Sequence, residues 1–194
     1  MKKIILTGSI FLLASFHLLC LDSDPSPIKR WGDVVDEGYW IHNARLNILF
    51  ENYKIDDMQM SRFGAPFFNF LTESSFKLFG ISYFSARLIP LISFWFVLIM
   101  MFFILKEYIG TEFSKRFVFL FGIIHEILMY TKLATPVITE MMFLLATVFF
   151  FTLKHQNRYY CLLSGVAYGL AILTKLTAIL FVPSLLIFIF WCFK

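Results

Sequence analysis

"YFSARLIPLISFWFVLIMMFFIL", Tyr83 to Leu105, carries a single charge, Arg87, near its start. A run this long and apolar meets the ~20 residues that an α-helix needs to cross the hydrocarbon of a bilayer. Working outward from it, apolar runs recur at Phe117–Lys132, Val137–Leu153, Tyr159–Thr174 and Leu176–Phe193, and another, Ile4–Leu21, opens the chain behind Lys2 and Lys3. The composition agrees: of 194 residues, 59% are hydrophobic, 20% aromatic and only 15% charged. A soluble domain of this length has too little interior to hide that much apolar surface. The sequence therefore predicts an all-α, polytopic membrane helix bundle. It has no basic block suited to nucleic acid. Cys20, Cys161 and Cys192 are scattered, without the spacing of a disulfide framework or a metal site.

Three segments follow. Residues 1–21 read as a signal-anchor transmembrane helix, because no small-x-small cleavage site closes the apolar run. Residues 22–82 form a polar loop, and residues 83–194 a bundle of transmembrane helices. The two runs after Tyr159 are divided only by Thr174 and Lys175 and predict a tight helical hairpin. Charge sets the orientation. With the N-terminus inside, the inner face receives eight basic and two acidic residues, whereas the 22–82 loop with Arg87 carries seven basic and nine acidic. Basic residues favour the cytoplasmic side, so the loop is expected on the outer, periplasmic or lumenal, side of a bacterial inner membrane.

Inside that loop, "DVVDEGYWIHNAR", Asp33 to Arg45, has helical character. Val34, Ile41, Ala44 and Ile48 fall on one stripe at helical spacing, and Glu37 lies on it. Asp36 groups instead with Trp40, Asn43 and Asn47. A helix lying at the membrane surface fits this pattern, and an acid on its apolar face requires a cation, a metal or a hydrogen-bonding cavity. A second helix is expected between Pro66 in its first turn and Gly80 at its end, with Phe67, Leu71, Ser74, Ser75 and Leu78 as its inward stripe.

The residues able to do chemistry cluster toward the outer side. Asp36 and Glu37 are candidate bases, with Trp40 as a flat face for a sugar. Arg45 is a partner for an acid or a phosphate, and Arg62, in the tight turn before Gly64 and Pro66, is a further anion contact. Arg87 either snorkels to the head groups or holds a lipid phosphate. Glu140 opens the fourth run, where the helix dipole favours a carboxylate; it is a candidate substrate contact or ligand for a divalent metal. Lys175, at the outward bend of the last hairpin, is suited to an anionic head group. His125 and Glu126 read as an interhelical contact, and Gly165 and Gly169, four apart, as a close helix approach.

The order of "DEGYWIHNAR", the turn "FGAP", "LFGISYFSARLIP", an acid opening the fourth run and "SGVAYGLAILTKLTA" resembles the N-terminal part of the C-type (GT-C) membrane glycosyltransferases, in particular bacterial relatives of protein O-mannosyltransferases and aminoarabinose transferases. The resemblance spans nearly the whole chain. It implies a sugar donor linked to polyprenyl phosphate, a lipid, glycan or protein acceptor, an essential acid at the position of Asp36 or Glu37, and a second acid at Glu140. Aminoarabinose transferases carry a Glu-Lys pair before the loop's proline, where this chain has Gly64 and Ala65, so that reaction and its metal site are not expected. Members of the family are longer, so the chain is also expected to be a fragment or to need a separately encoded C-terminal half, and to be inactive alone. The alternative is a non-enzymatic polytopic protein, a transporter or an assembly scaffold.

Overall fold

A computed structural model describes residues 35–51, 64–153 and 157–192 together with Leu18 and Leu21, and side chains within these from Glu37 to Ile187. The expected signal-anchor helix otherwise lies outside the described residues. The architecture is all-α, as the apolar runs predict. Helix α1 (Val35–Phe50) and helix α2 (Pro66–Phe79) belong to the polar loop. The bundle comprises α3 (Tyr83–Ile109), α4 (Thr111–Gly122), α5 (His125–Thr131), α6 (Val137–Thr152), α7 (Tyr159–Thr174), a 3-10 segment (Leu176–Phe181) and α8 (Val182–Cys192).

Helix ends follow local chemistry. Pro66 occupies the first turn of α2, where its missing N–H leaves no orphan, and Gly80 closes the helix at φ +80, donating its N–H to the Phe76 carbonyl. Ser82 and Ser85 form a reciprocal capping box that starts α3. Ser85 also donates to the Gly80 carbonyl, and Ser75 of α2 donates to the Ser85 carbonyl at 2.6 Å. The α2–α3 corner is thus pinned by side-chain hydroxyls. α3 is 27 residues long, its most apolar 18-residue stretch has a mean hydropathy of 2.7, and it is the one helix among the described residues long and apolar enough to span a bilayer. α6 and α7, 16 residues each, extend about 24 Å at 1.5 Å per residue.

The core lies where α3 and α6 meet. Phe94, Val97 and Leu98 pack on Ile138, with Phe121 of α4 stacked on Phe94 at 6.4 Å between ring centroids. Nearer the far end, Met100 of α3, Ala146 of α6 and Ala167 of α7 form a second cluster, and Ser164 of α7 donates to the Thr147 carbonyl of α6. Large apolar side chains such as Leu162, Leu180 and Ile187 face outward at 67–76% exposure, as expected of a bundle solvated by lipid.

Several expectations need correction. The run Phe117–Lys132 is two helices. α4 begins earlier, at Thr111, and stops at Gly122; Ile124 is extended (φ −62, ψ 126), and α5 restarts at His125 with Glu126 in its first turn. A helix-poor glycine followed by two β-branched residues accounts for the break. His125 and Glu126 are exposed and make no interhelical contact among the described residues. The buried face of α2 is Phe68, Asn69, Thr72, Glu73, Ser75 and Phe76, while Leu78 is 77% exposed. Two of its polar inward residues bond back into the chain, Asn69 donating its amide N–H to the Ala65 carbonyl and Thr72 its hydroxyl to the Phe68 carbonyl. The last hairpin bends at Lys175 as expected, but its second limb starts as a 3-10 turn. Gly165 and Gly169 do not mediate a close approach: a Cβ on either meets nothing within 4 Å. The small residues at the α7 contact are Ser164, Ala167 and Ala171.

This contrast makes a prediction. Gly165→Ala raises stability by about 0.5–1 kcal/mol through backbone entropy, whereas Ala171→Leu, at a fully buried position, lowers it by about 1–3 kcal/mol through overpacking. Thermal unfolding in detergent, followed by helical circular dichroism, reads both signs.

Candidate functional site

α1 presents three faces, and each meets different surroundings. The face carrying Glu37, Ile41, Ala44 and Ile48 is buried, as its stripe predicts, but protein covers it: Ala44 sits among Phe76 of α2, Ala86 of α3 and Ala134 of the segment before α6. Glu37 is 3% and Arg87 2% exposed. Arg87 Nε donates to Glu37 Oε1 at 2.7 Å and Nη2 to Oε2 at 2.8 Å, a bidentate fork. The Ala134 N–H donates to Oε1 at 2.8 Å, and Arg87 Nη1 donates to the Leu21 carbonyl at 2.7 Å. The guanidinium also lies 5.0 Å from the centre of the Tyr83 ring. Glu37 therefore finds the cation that an acid on an apolar stripe requires. Arg87 neither snorkels nor stands free: three of its five N–H donors are engaged by this joint.

A second polar cluster forms from Trp40, Glu140 and Lys175, which reach it from α1, the first turn of α6 and the junction after α7. The Lys175 ammonium lies 6.0 Å from the centre of a Trp40 ring. Gly64 packs on the outer edge of the same indole, where a Cβ would come within 3.9 Å of Cζ3. Glu140 is 6% exposed; Thr177 Oγ1 donates to its Oε1 at 2.7 Å, and Lys175 attracts it at longer range than an ion pair. Lys175 itself has an extended backbone (φ −159, ψ 130) between α7 and the 3-10 segment, which turns its side chain out of the helical path.

Asp36 lies on the α1 backbone, but its side chain is outside the described residues, as is all of Arg62. At about 3.6 residues per turn, Asp36 falls on the same face of α1 as Trp40, Asn43 and Asn47. Arg45, nine positions on, falls about half a turn away in angle, on the opposite face, and is exposed. It does not join the Trp40 cluster. Thr177 and the Ala134 N–H are functional groups that sequence reading missed. Thr177 had only its nearness to Lys175 to suggest it, and a backbone N–H leaves no residue-type signal. Among the described residues no group of three or more His, Cys, Asp or Glu gathers to hold a metal, and Glu140 has a hydroxyl and an ammonium for company rather than further ligands.

The described residues thus form an all-α, largely apolar helix bundle with two polar joints, one at Glu37 and Arg87 and one at Trp40, Glu140 and Lys175. Residues 64–193 match the dolichyl-phosphate-mannose-protein mannosyltransferase family, and with more than half of its length matched the chain belongs to that family of membrane glycosyltransferases. α1, with Asp36, Glu37 and Trp40, precedes the matched segment. No curated protein and no solved structure matches the chain.

The buried pair makes a prediction. Glu37→Gln leaves Arg87 charged and uncompensated and destabilises the protein by about 3–5 kcal/mol, while replacing both partners together, Glu37→Gln with Arg87→Met, is much less harmful. Thermal unfolding of the single and double variants tests it. Equal losses in both would show that the pair is not what holds α1 to α3.

Proposed function

We propose that this chain carries the outer-face site of a glycosyl transfer in which a sugar passes from a polyprenyl-phosphate donor to an acceptor hydroxyl, a protein hydroxyl being the acceptor class that the family suggests. Its membrane is the bacterial inner membrane, with the 22–82 loop in the periplasm. The observation that carries this reading is the convergence of Trp40, Glu140 and Lys175 from three separate segments beside the face of α1 that bears Asp36.

The reaction is one displacement. The acceptor oxygen attacks the anomeric carbon, the bond from that carbon to the phosphate oxygen breaks, and its electron pair leaves with the lipid phosphate. Asp36 takes the acceptor proton; general-base help of this kind contributes ~10²–10⁴-fold. Lys175 faces the developing charge on the phosphate, the kind of preorganised cation that stabilises a leaving group. Trp40 supplies an apolar plane for the sugar ring, and Glu140, held by Thr177, accepts from a sugar hydroxyl. Glu37 and Arg87 act as the joint that fixes these elements and do not touch substrate. A single displacement inverts the configuration at the anomeric carbon.

Membranes containing the full-length protein, supplied with radiolabelled polyprenyl-phosphate sugars, test the reading. Asp36→Asn should lower the transfer rate by about 10²–10⁴-fold without changing the melting temperature, and Trp40→Ala should raise KM for the donor more than it lowers kcat. Transfer at the parental rate by the Asp36 variant would remove it as the base; no transfer by the parent with any donor would favour a non-enzymatic membrane protein.

A further inference from the structure

The third face of α1, with Tyr39, His42 and Arg45, borders the core face at Ile41 and lies away from the Trp40 cluster. A groove of about 560 Å³ runs along it, between α1 and the α2–α3 corner, with walls that include Tyr39, Ile41, His42, Arg45, Phe76 and Tyr83. This volume lies in the range of ~300–1,000 Å³ typical of small-molecule sites. Three features define what fits it. Among the described residues no acid lines the groove, and Arg45 takes part in none of their ion pairs. Hydroxyls of Tyr39, Ser82 and Tyr83 belong to the lining residues, while Ile41, Phe76 and Ile81 make its walls mainly apolar. Around it the surface is apolar: Leu49, one turn beyond Arg45 on α1, is 50% exposed, and Leu78, Phe79 and Phe84 of the α2–α3 corner turn outward.

Depth is fixed by Tyr83, which lines the groove and is also the first residue of the one membrane-length helix. The groove therefore sits where the hydrocarbon of that leaflet gives way to head groups. A cation and aromatic hydroxyls above an apolar floor, at that level, are complementary to a phosphodiester carrying acyl chains. We propose that this groove binds an anionic phospholipid of the surrounding leaflet, its phosphate on Arg45 and its upper acyl chain along Ile41 and Ile81. Polyprenyl phosphate shares the phosphate chemistry, but Arg45 lies about half a turn of helix from Asp36. The occupant assigned here is thus a structural lipid, separate from the donor, and the assignment does not rest on the proposed transfer reaction.

The test uses the full-length protein reconstituted in phosphatidylcholine bilayers with spin-labelled phosphatidylglycerol, and reads the motionally restricted fraction. The parent is expected to prefer phosphatidylglycerol over labelled phosphatidylcholine. Arg45→Gln should reduce that preference by about five-fold, the effect of one basic side chain near a bilayer surface, and Arg45→Lys should restore most of it. Lys106→Gln removes an equal charge at the opposite end of α3 and should leave the preference intact, which separates a local site from net charge. Ile81→Trp, on the exposed rim, should displace the restricted lipid by filling the groove. Retention of the preference in either Arg45→Gln or Ile81→Trp overturns the proposal, as does displacement of the label by excess polyprenyl phosphate, which would make the groove the donor site.

Discussion

The ion pair between Glu37 and Arg87 is the constraint on which the outer end of this protein depends. Both side chains are almost wholly buried, and neither tolerates burial without the other, because an uncompensated charge there is strongly unfavourable. A bidentate fork also has one good geometry, which sets position as well as distance. The same carboxylate accepts the Ala134 N–H, so one residue of α1 fixes α3 and the approach to α6 together. Pairs of this kind are weak evidence for net stability; their best-attested use is to specify register. Here the register in question is that of α1, and with it the placement of Trp40 beside Lys175.

From that joint the second cluster follows. Ala134 is held by Glu37, Pro136 precedes α6, and the Glu140 N–H bonds to the Pro136 carbonyl at 2.8 Å. Six residues of short, hydrogen-bonded chain therefore connect the buried pair to the Glu140 carboxylate. Trp40 lies three positions beyond Glu37 on the same helix. Two neighbours of one acid, reached through α1 and through the start of α6, are thus brought toward Lys175 by a common anchor. This accounts for a polar cluster assembled from segments more than a hundred residues apart.

The sequence makes the helices of this protein legible and much of their packing illegible. Apolar runs mark α3, α6 and α7 nearly to the residue, and Pro66 and Gly80 bracket α2, because segment length and helix ends are local properties. Of the apolar-to-small stripe on α2, Ser75 is buried and Leu78 is exposed: apolar character alone does not select the face that packs. Gly165 and Gly169 differ for another reason: four-residue spacing permits close approach but does not bring a neighbour to that face, and among the described residues it is Ala167 that packs on Ala146 of α6. At the site, the need of Glu37 for a cation was readable, but its partner, fifty positions away, was not. Arg45 shows how far spacing alone reaches. Nine residues are two and a half turns, so its separation from Asp36 was already fixed by arithmetic once α1 was read as a helix.

The adjacent acids Asp36 and Glu37 illustrate how one helix divides its work. A step of one residue turns the side chain by about 100°, enough to take a carboxylate from the core face to the face shared with Trp40. The core-facing acid is engaged by Arg87 and a backbone N–H, which occupy lone pairs of its carboxylate. The acid beside it, Asp36, falls on the face of the helix shared with Trp40, and Arg45, half a turn around from Asp36, falls on the opposite face. Three different surroundings can share sixteen residues of helix because the buried pair resists rotation of α1. Without that stop, an amphipathic segment at a bilayer surface would be free to exchange one face for another.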